Sequence, residues 1–297
     1  FREPNRSGSG SCGRGAVVDE AHGAETEARK TLSPELSAEK LLREARRLGE
    51  GSGNTIFKRI AMAAARTEDD STLITSLSSK THSKGLALAQ AAAELAAHFK
   101  DLLYFEGNRR SKGYEYVDIW LNSEVRGSSN FQTLASFARV YYDAAERFVA
   151  EGQTLVGALD EIPGVAVPQQ ELSSLVLEVK DMMNAAEVIF FNPSDAYAYA
   201  ARISKKSDNP NDTLQALMVN VGEALNDQFY EQTSSVVFAS ATLAIKDEFT
   251  AFEDAVGLHP ARAQEKKQAA LPPRNPAIRI VGEDEDAFWA SLQESQP

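Results

Sequence analysis

The sequence predicts a mainly α-helical chain with a partial α/β element. Three observations carry that expectation. Alanine- and leucine-rich stretches with apolar residues at three- and four-residue spacing recur along the middle of the chain. A short β-branched run, Ala16-Val17-Val18, stops abruptly at Asp19-Glu20-Ala21-His22. A second run, Ser234-Ser235-Val236-Val237-Phe238-Ala239, stops as abruptly at Ser240-Ala241-Thr242-Leu243. Brief apolar strands that end in polar residues suit a buried parallel sheet with functional groups at its carboxyl ends.

The elements follow in order. Residues 1–15, FREPNRSGSGSCGRG, read as loop or linker. From Ser33 the chain turns helical, with Ser33 as N-cap, Pro34 at the first helical position and Glu35 in the first turn. Leu41, Leu42, Ala45 and Leu48 supply the apolar stripe until the glycines between Gly49 and Gly53 interrupt it. Further helices are expected over 56–65, 85–105, 131–150, 170–186 and 213–230. Strands are expected over 114–121 and 186–191, with turns at Pro163, Pro168, Pro193 and Pro210. No internal repeat of solenoid period is present. A helix is expected in DEFTAFEDAVGL, ending at Gly257. The Pro- and Lys-rich run after it reads as unstructured, and a short helix is expected around Phe288 and Trp289.

Bulk composition narrows the function. A chain of 297 residues with 43% hydrophobic and 25% charged residues is ordinary globular protein. No apolar run is long enough to cross a bilayer and no hydrophobic leader is evident, so a cytoplasmic location without membrane contact is expected. The single cysteine, Cys12, excludes an internal disulfide and any thiolate cluster built from this chain alone. A net charge of −12 argues against non-specific grip on phosphates by the whole surface. Nucleic-acid contact would need local patches such as Arg43, Arg46, Arg47, Lys58 and Arg59, or Arg109, Arg110 and Lys112. A solvated helix face is the plainer reading of either. Trp120 is expected to anchor the helical core, and Tyr104, Phe105, Tyr141 and Tyr142 to lie in or beside it. His82 and His98 have no metal-ligand spacing and receive no site.

Two motifs could carry chemistry. In Asp19-Glu20-Ala21-His22, an Asp at a strand end can hold Mg²⁺ and an adjacent Glu can orient and deprotonate an attacking water. His22 can hydrogen-bond across a nucleotide cleft. The plainer reading makes Asp19 the cap of the following helix. In Ser240-Ala241-Thr242, two hydroxyls can bridge neighbouring elements by bonds that rearrange with the nucleotide, or can simply cap a helix.

Together, VVDEAH and VVFASATL resemble motifs II and III of superfamily-two helicases of the DinG/XPD group. The flanking TLQALMVNVGEALNDQFYEQTS and DEFTAFEDAVGL resemble that group's entry to and exit from motif III. The interval of roughly 220 residues between the motifs is similar to that of the group, where it holds a helical Arch insertion. The resemblance is specific over 16–22 and about 213–258, and architectural between them. It implies a helical Arch-like insertion flanked by two strands of an incomplete RecA-like helicase domain. The expected division is 1–15 linker, 16–32 the DEAH strand, 33–212 the insertion, 213–258 the return with motif III, and 259–297 a disordered tail.

By the same resemblance, Asp19 would serve Mg²⁺ and the nucleotide, Glu20 the water, and His22, Ser240 and Thr242 the coupling of ATP state to DNA grip. The intact protein would couple ATP hydrolysis to translocation on single-stranded DNA and duplex unwinding, in repair or replication, as a monomer. The group's 4Fe–4S cysteines are absent. Gly8 to Gly13 has glycine spacing, but Arg14-Gly15 stands where a P-loop needs its lysine and hydroxyl. Nothing after Leu258 resembles a second RecA-like domain. The chain is therefore expected to be a fragment without ATPase activity of its own, since phosphoryl transfer needs several positioned cations at once. A non-catalytic helical binding or scaffold protein is the alternative.

Overall fold

The computed structural model describes residues 15–49, 56–65, 71–103, 115–160, 162–205, 211–233, 235–243, 249–258 and the backbone of 277–281. They form two compact units. One is Ser33–Leu217; the other joins the segments before and after it, up to Leu32 and from Met218. Mostly helical structure with two small sheets is the observed class.

The Ser33–Leu217 unit is built on long helices. α2 (Ala38–Leu48), α3 (Ile56–Ala64), α4 (Ser71–Leu103), α6 (Ser129–Ala158) and α7 (Ala166–Ala186) are its main elements, with the short α5 (Ser123–Gly127) leading into α6. α4 packs against α2, α3 and α6, and α6 against α7. Leu41, Leu48, Ile60, Leu88, Leu95, Phe99, Phe131 and Phe148 are fully buried between them. Each such side chain contributes about 1.5–3 kcal/mol of burial. Gly152 lets α6 approach α7 closely, since a Cβ there would lie 2.6 Å from Val176 Cγ2.

The same unit holds a four-stranded antiparallel sheet in the order β2 (Glu35–Ser37), β5 (Thr213–Met218), β4 (Tyr197–Ser204), β3 (Tyr116–Trp120). β3 falls where alternation predicts it. The others correct the expectation. The Ser33-Pro34-Glu35 helix start is instead the approach to β2, which pairs with Thr213–Gln215. The helix begins at Ala38, where Ser37 accepts from the Lys40 amide. The helix expected over 213–230 opens as β5, whose alternate residues are buried, and only Val221–Gln228 (α8) is helical. The strand expected over 186–191 is a π-helical end to α7. Met182, Ala185, Ala186, Ile189 and Phe190 continue one buried helical stripe, so its β-branched content loses to its spacing.

Trp120 is the largest departure. It lies 60% exposed on β3 rather than in the core, because Val117 and Ile119 take the inward positions of the strand. Tyr141 is buried as expected. Tyr104, Phe105, Arg109, Arg110 and Lys112 lie outside the described residues, as do residues 1–14 with Cys12. His82 stacks on Phe57 and His98 on Phe137. Among the described residues no helix is long and apolar enough to cross a membrane.

The first basic cluster is held by acids of α7. Arg47 bonds Glu178 at 2.8 Å with Arg43 beside it, and Arg59 forms a two-pronged pair with Glu171. Arg46 turns back to the Leu42 carbonyl. These pairs tie α2 and α3 to α7 and reduce the patch available to phosphates.

One buried acid has a consequence for stability. Glu44 of α2 is 4% exposed, and its Oε2 accepts from the Tyr141 hydroxyl at 3.2 Å while Oε1 has no partner. Burial pushes its carboxyl up to about 8, opposed by the Tyr141 hydrogen bond and aided by Glu178. The folded chain thus holds a proton that the unfolded chain releases near the ordinary carboxylate range. Stability contributed by this proton is complete below the unfolded value, falls as pH rises toward 8, and is gone above it. Denaturant titrations from pH 5 to 9 should show a decline on the order of a few kcal/mol. Glu44→Gln should flatten the decline and be the more stable form at pH 9. A parallel pH dependence in both proteins would contradict it.

Candidate functional site

The second unit is organised by a three-stranded parallel sheet in the order β1 (Gly15–Asp19), β6 (Ser235–Ala239), β7 (Ala277–Val281). Val18 pairs with Phe238 and Asp19 with Ala239. The two β-branched runs, remote in sequence, are therefore neighbours whose carboxyl ends coincide. β7 corrects part of the expected disordered tail. Its five residues pair in parallel with β6, and the rest of 259–297 lies outside the described residues.

Alternation fixes which face is covered. Ala16, Val18, Val236 and Phe238 pack with Ala21, Ala24, Leu225, Tyr230, Phe252 and Leu258 from the helical layer. That layer comprises α1 (Ala24–Leu32), α8 and α9 (Thr250–Val256). α9 ends at Gly257 with φ 79, as the sequence predicts. Val17, pointing the other way, is 66% exposed. α8 and α9 meet at glycine: a Cβ on Gly222 would lie 2.6 Å from the Gly257 amide nitrogen. Asn226 donates to Gly257 O and Tyr230 to Val256 O, both at 2.8 Å. Arg29 of α1 donates to the carbonyls of Met218 and Val219 and pairs with Glu25. Sequence reasoning overlooked these supporting residues; only the Glu25/Arg29 helical pair carries a local signal.

At the end of β1 the backbone turns sharply. Glu20 has φ 51 and ψ 45, and it is the one non-glycine residue with positive φ among the described residues. The Glu20 amide donates to Asp19 Oδ1 at 2.9 Å, and the Gly23 amide to Glu20 O at 3.0 Å. This turn throws Ala21 into the core and brings His22 over the end of β6. There His22 Nδ1 stands 3.1 Å from Ser240 Oγ and 3.3 Å from Glu20 Oε2.

Four of the five expected site residues thus gather at two neighbouring strand ends. Thr242 lies in the exposed turn beyond Ser240, and no hydrogen bond joins it to the others among the described residues. Neither Ser240 nor Thr242 caps α9, which starts at Thr250 with Phe249 as its N-cap. Asp19 bonds its own neighbour's amide rather than a helix turn. In open α/β sheets, ligands bind outside the carboxyl ends of the strands, which is where this cluster lies.

No group of three or more metal-ligating side chains exists among the described residues. A lone strand-end carboxylate still fits Mg²⁺, which takes one or two carboxylates and completes its octahedron with water and phosphate. A cluster held by four thiolates does not fit a chain with one cysteine. Comparison with known families and with curated proteins finds no match to this chain.

A glutamate held in the left-handed region costs about 1 kcal/mol or more, and such strain persists where the surroundings or a function require it. The Glu20 side chain is 75% exposed and does not supply packing that would justify the strain. Glu20→Gly should therefore keep or raise the thermal stability of the β1–β6 unit, by up to about 1 kcal/mol. A clear loss of stability would mean that the Glu20 side chain supports the fold.

Proposed function

We propose that this chain is a segment of a DinG/XPD-type DNA helicase. Its parent couples ATP hydrolysis to movement along single-stranded DNA and to duplex unwinding, as a cytoplasmic monomer in repair or replication. One observation supports the reading above the rest. Two strands separated by a whole helical unit pair in parallel, and His22 of the DEAH run meets Ser240 of the SAT run across their ends. In this reading Ser33–Leu217 is the Arch-like insertion of an incomplete RecA-like domain.

Bound Mg·ATP would supply the transferable phosphoryl group and the cation that offsets its charge. The residues of this chain would do the rest. Asp19 keeps one carboxylate oxygen on the Glu20 amide and offers the other to the cation's water shell. Glu20, aimed outward by its left-handed backbone, orients the attacking water and takes its proton. His22 Nδ1 can serve either Glu20 Oε2 or Ser240 Oγ, both within reach. When Glu20 turns to the water, the imidazole is left to Ser240. A change at the phosphate is thereby carried to β6 and the turn bearing Thr242, which would adjust the grip on DNA. The 4Fe–4S cluster has no part in this chain's chemistry.

The chain itself carries no P-loop lysine, so binding should be weak and turnover absent. Titration with Mg·ATP, followed by backbone amide resonances, should move Asp19–Gly23 and Ser240–Thr242 with a dissociation constant of about 1 mM or weaker. Asp19→Asn should abolish the shifts, and no ATP should be hydrolysed. Silence of these resonances at saturating nucleotide would contradict the reading and favour a non-catalytic scaffold, which the net charge of −12 suits. Steady hydrolysis abolished by Glu20→Gln would overturn the expected inactivity.

A further inference from the structure

His22 Nδ1 is shared by two groups that ask opposite things of it. Ser240 Oγ lies 3.1 Å away and Glu20 Oε2 3.3 Å away. A hydroxyl can donate or accept, whereas an ionised carboxylate only accepts. The nitrogen carries a hydrogen in one neutral tautomer and in the imidazolium, and a bare lone pair in the other tautomer. With the lone pair, Nδ1 accepts from the Ser240 hydroxyl and repels the Glu20 carboxylate. With the hydrogen, it donates to that carboxylate, and Ser240 is left as a second acceptor.

The backbone holds the three groups where this competition is unavoidable. Glu20 projects from a left-handed residue whose carbonyl accepts from the Gly23 amide. Ser240 follows directly on β6, whose ladder with β1 runs to Ala239. Asp19, the other charged group at these strand ends, keeps Oδ1 on the Glu20 amide. Among the described residues no further hydrogen bond or ion pair reaches the imidazole. The ring is 56% exposed, so it exchanges its proton directly with solvent.

We propose that the protonation state of His22 decides the partner of Glu20 and thereby regulates this strand-end site. The neutral ring, with its hydrogen on Nε2, binds Ser240 and releases Glu20; the imidazolium holds Glu20. The consequence for catalysis rests on the helicase reading. There, acid would keep Glu20 from the attacking water, and neutral pH would free it while joining His22 to β6. An exposed pair of this kind shifts populations by up to about fivefold, so the device biases the site rather than closing it.

Nuclear magnetic resonance of the full chain tests the switch, with labelled histidine nitrogens and glutamate carboxyl carbons, over the window in which imidazole changes charge, about pH 5 to 8. The chain has four histidines, and the His22 signals are those lost in His22→Asn. At the upper end Nδ1 should be in its acceptor form, and at the lower end both nitrogens should be protonated. The Ser240 amide and the Glu20 carboxyl carbon should move with the His22 midpoint, and His22→Asn should remove that step from both. Ser240→Ala should raise the share of the neutral tautomer with its hydrogen on Nδ1 by up to about fivefold, and Ser240→Thr should restore the original share. A neutral ring that already carries its hydrogen on Nδ1 would overturn the proposal. So would a Glu20 carboxyl or Ser240 amide indifferent to the His22 titration, or a tautomer ratio unchanged in Ser240→Ala. No nucleotide enters these measurements, so such a result would strike the switch and leave the Mg·ATP titration to judge the helicase reading.

Discussion

The parallel pairing of β1 with β6 is the constraint on which the second unit depends. A parallel ladder cannot be closed by a tight turn, so the chain must leave the sheet and return from the other end. Here the excursion is a folded unit. Closing a flexible loop of that length would cost roughly 5 kcal/mol from the logarithmic term alone. The Ser33–Leu217 unit removes most of that cost, because its first and last strands, β2 and β5, are antiparallel neighbours. Glu35 faces Gln215, Ser37 faces Thr213, and the Ala216 amide donates to Pro34 O. The chain enters and leaves this unit side by side. Asp212 reinforces the clamp: its backbone carbonyl accepts from the Ala38 amide, and its carboxylate from the Ser204 amide.

Once β1 and β6 are adjacent, the site follows from local chemistry. Both strands run out at the same level, and each ends in a residue type that prefers not to continue a strand. The left-handed Glu20 folds the first end back, which carries His22 across to Ser240. The helical layer holds this arrangement from one face through the glycine crossing of α8 and α9 and the bonds from Asn226 and Tyr230. Polar groups are kept at the rim, and the apolar side chains between strands and helices supply the cohesion.

The two strand ends were more legible in sequence than the sheet of the Ser33–Leu217 unit. β-branched runs that stop at DEAH and SATL announce both strands, and neither depends on a distant partner to be recognised. The misread segments are those whose local signal fits two periods. Thr213–Met218 has apolar residues compatible with a helix or a strand, and only the presence of β2 and β4 selects the strand. Ser33-Pro34-Glu35 is a good helix start, yet Ser37 supplies an equal one four residues later, and the earlier stretch is taken by pairing with β5. β4 has no counterpart in the expectation, because its Tyr-Ala alternation is weakly apolar. Ala277–Val281 was masked by the proline- and lysine-rich run before it. Residue type alone places Trp120 in the core, while its strand parity sends it outward.

Two segments some two hundred residues apart are thus hydrogen-bonded neighbours in one parallel sheet. Backbone amide-to-Hα nuclear Overhauser contacts between 15–19 and 235–239 check this pairing. The expected pattern is a parallel ladder in which Ala16 stands against Val236 and Val18 against Phe238. Absent cross-strand contacts, an antiparallel register, or a slip by one residue that turns Val17 inward would contradict it.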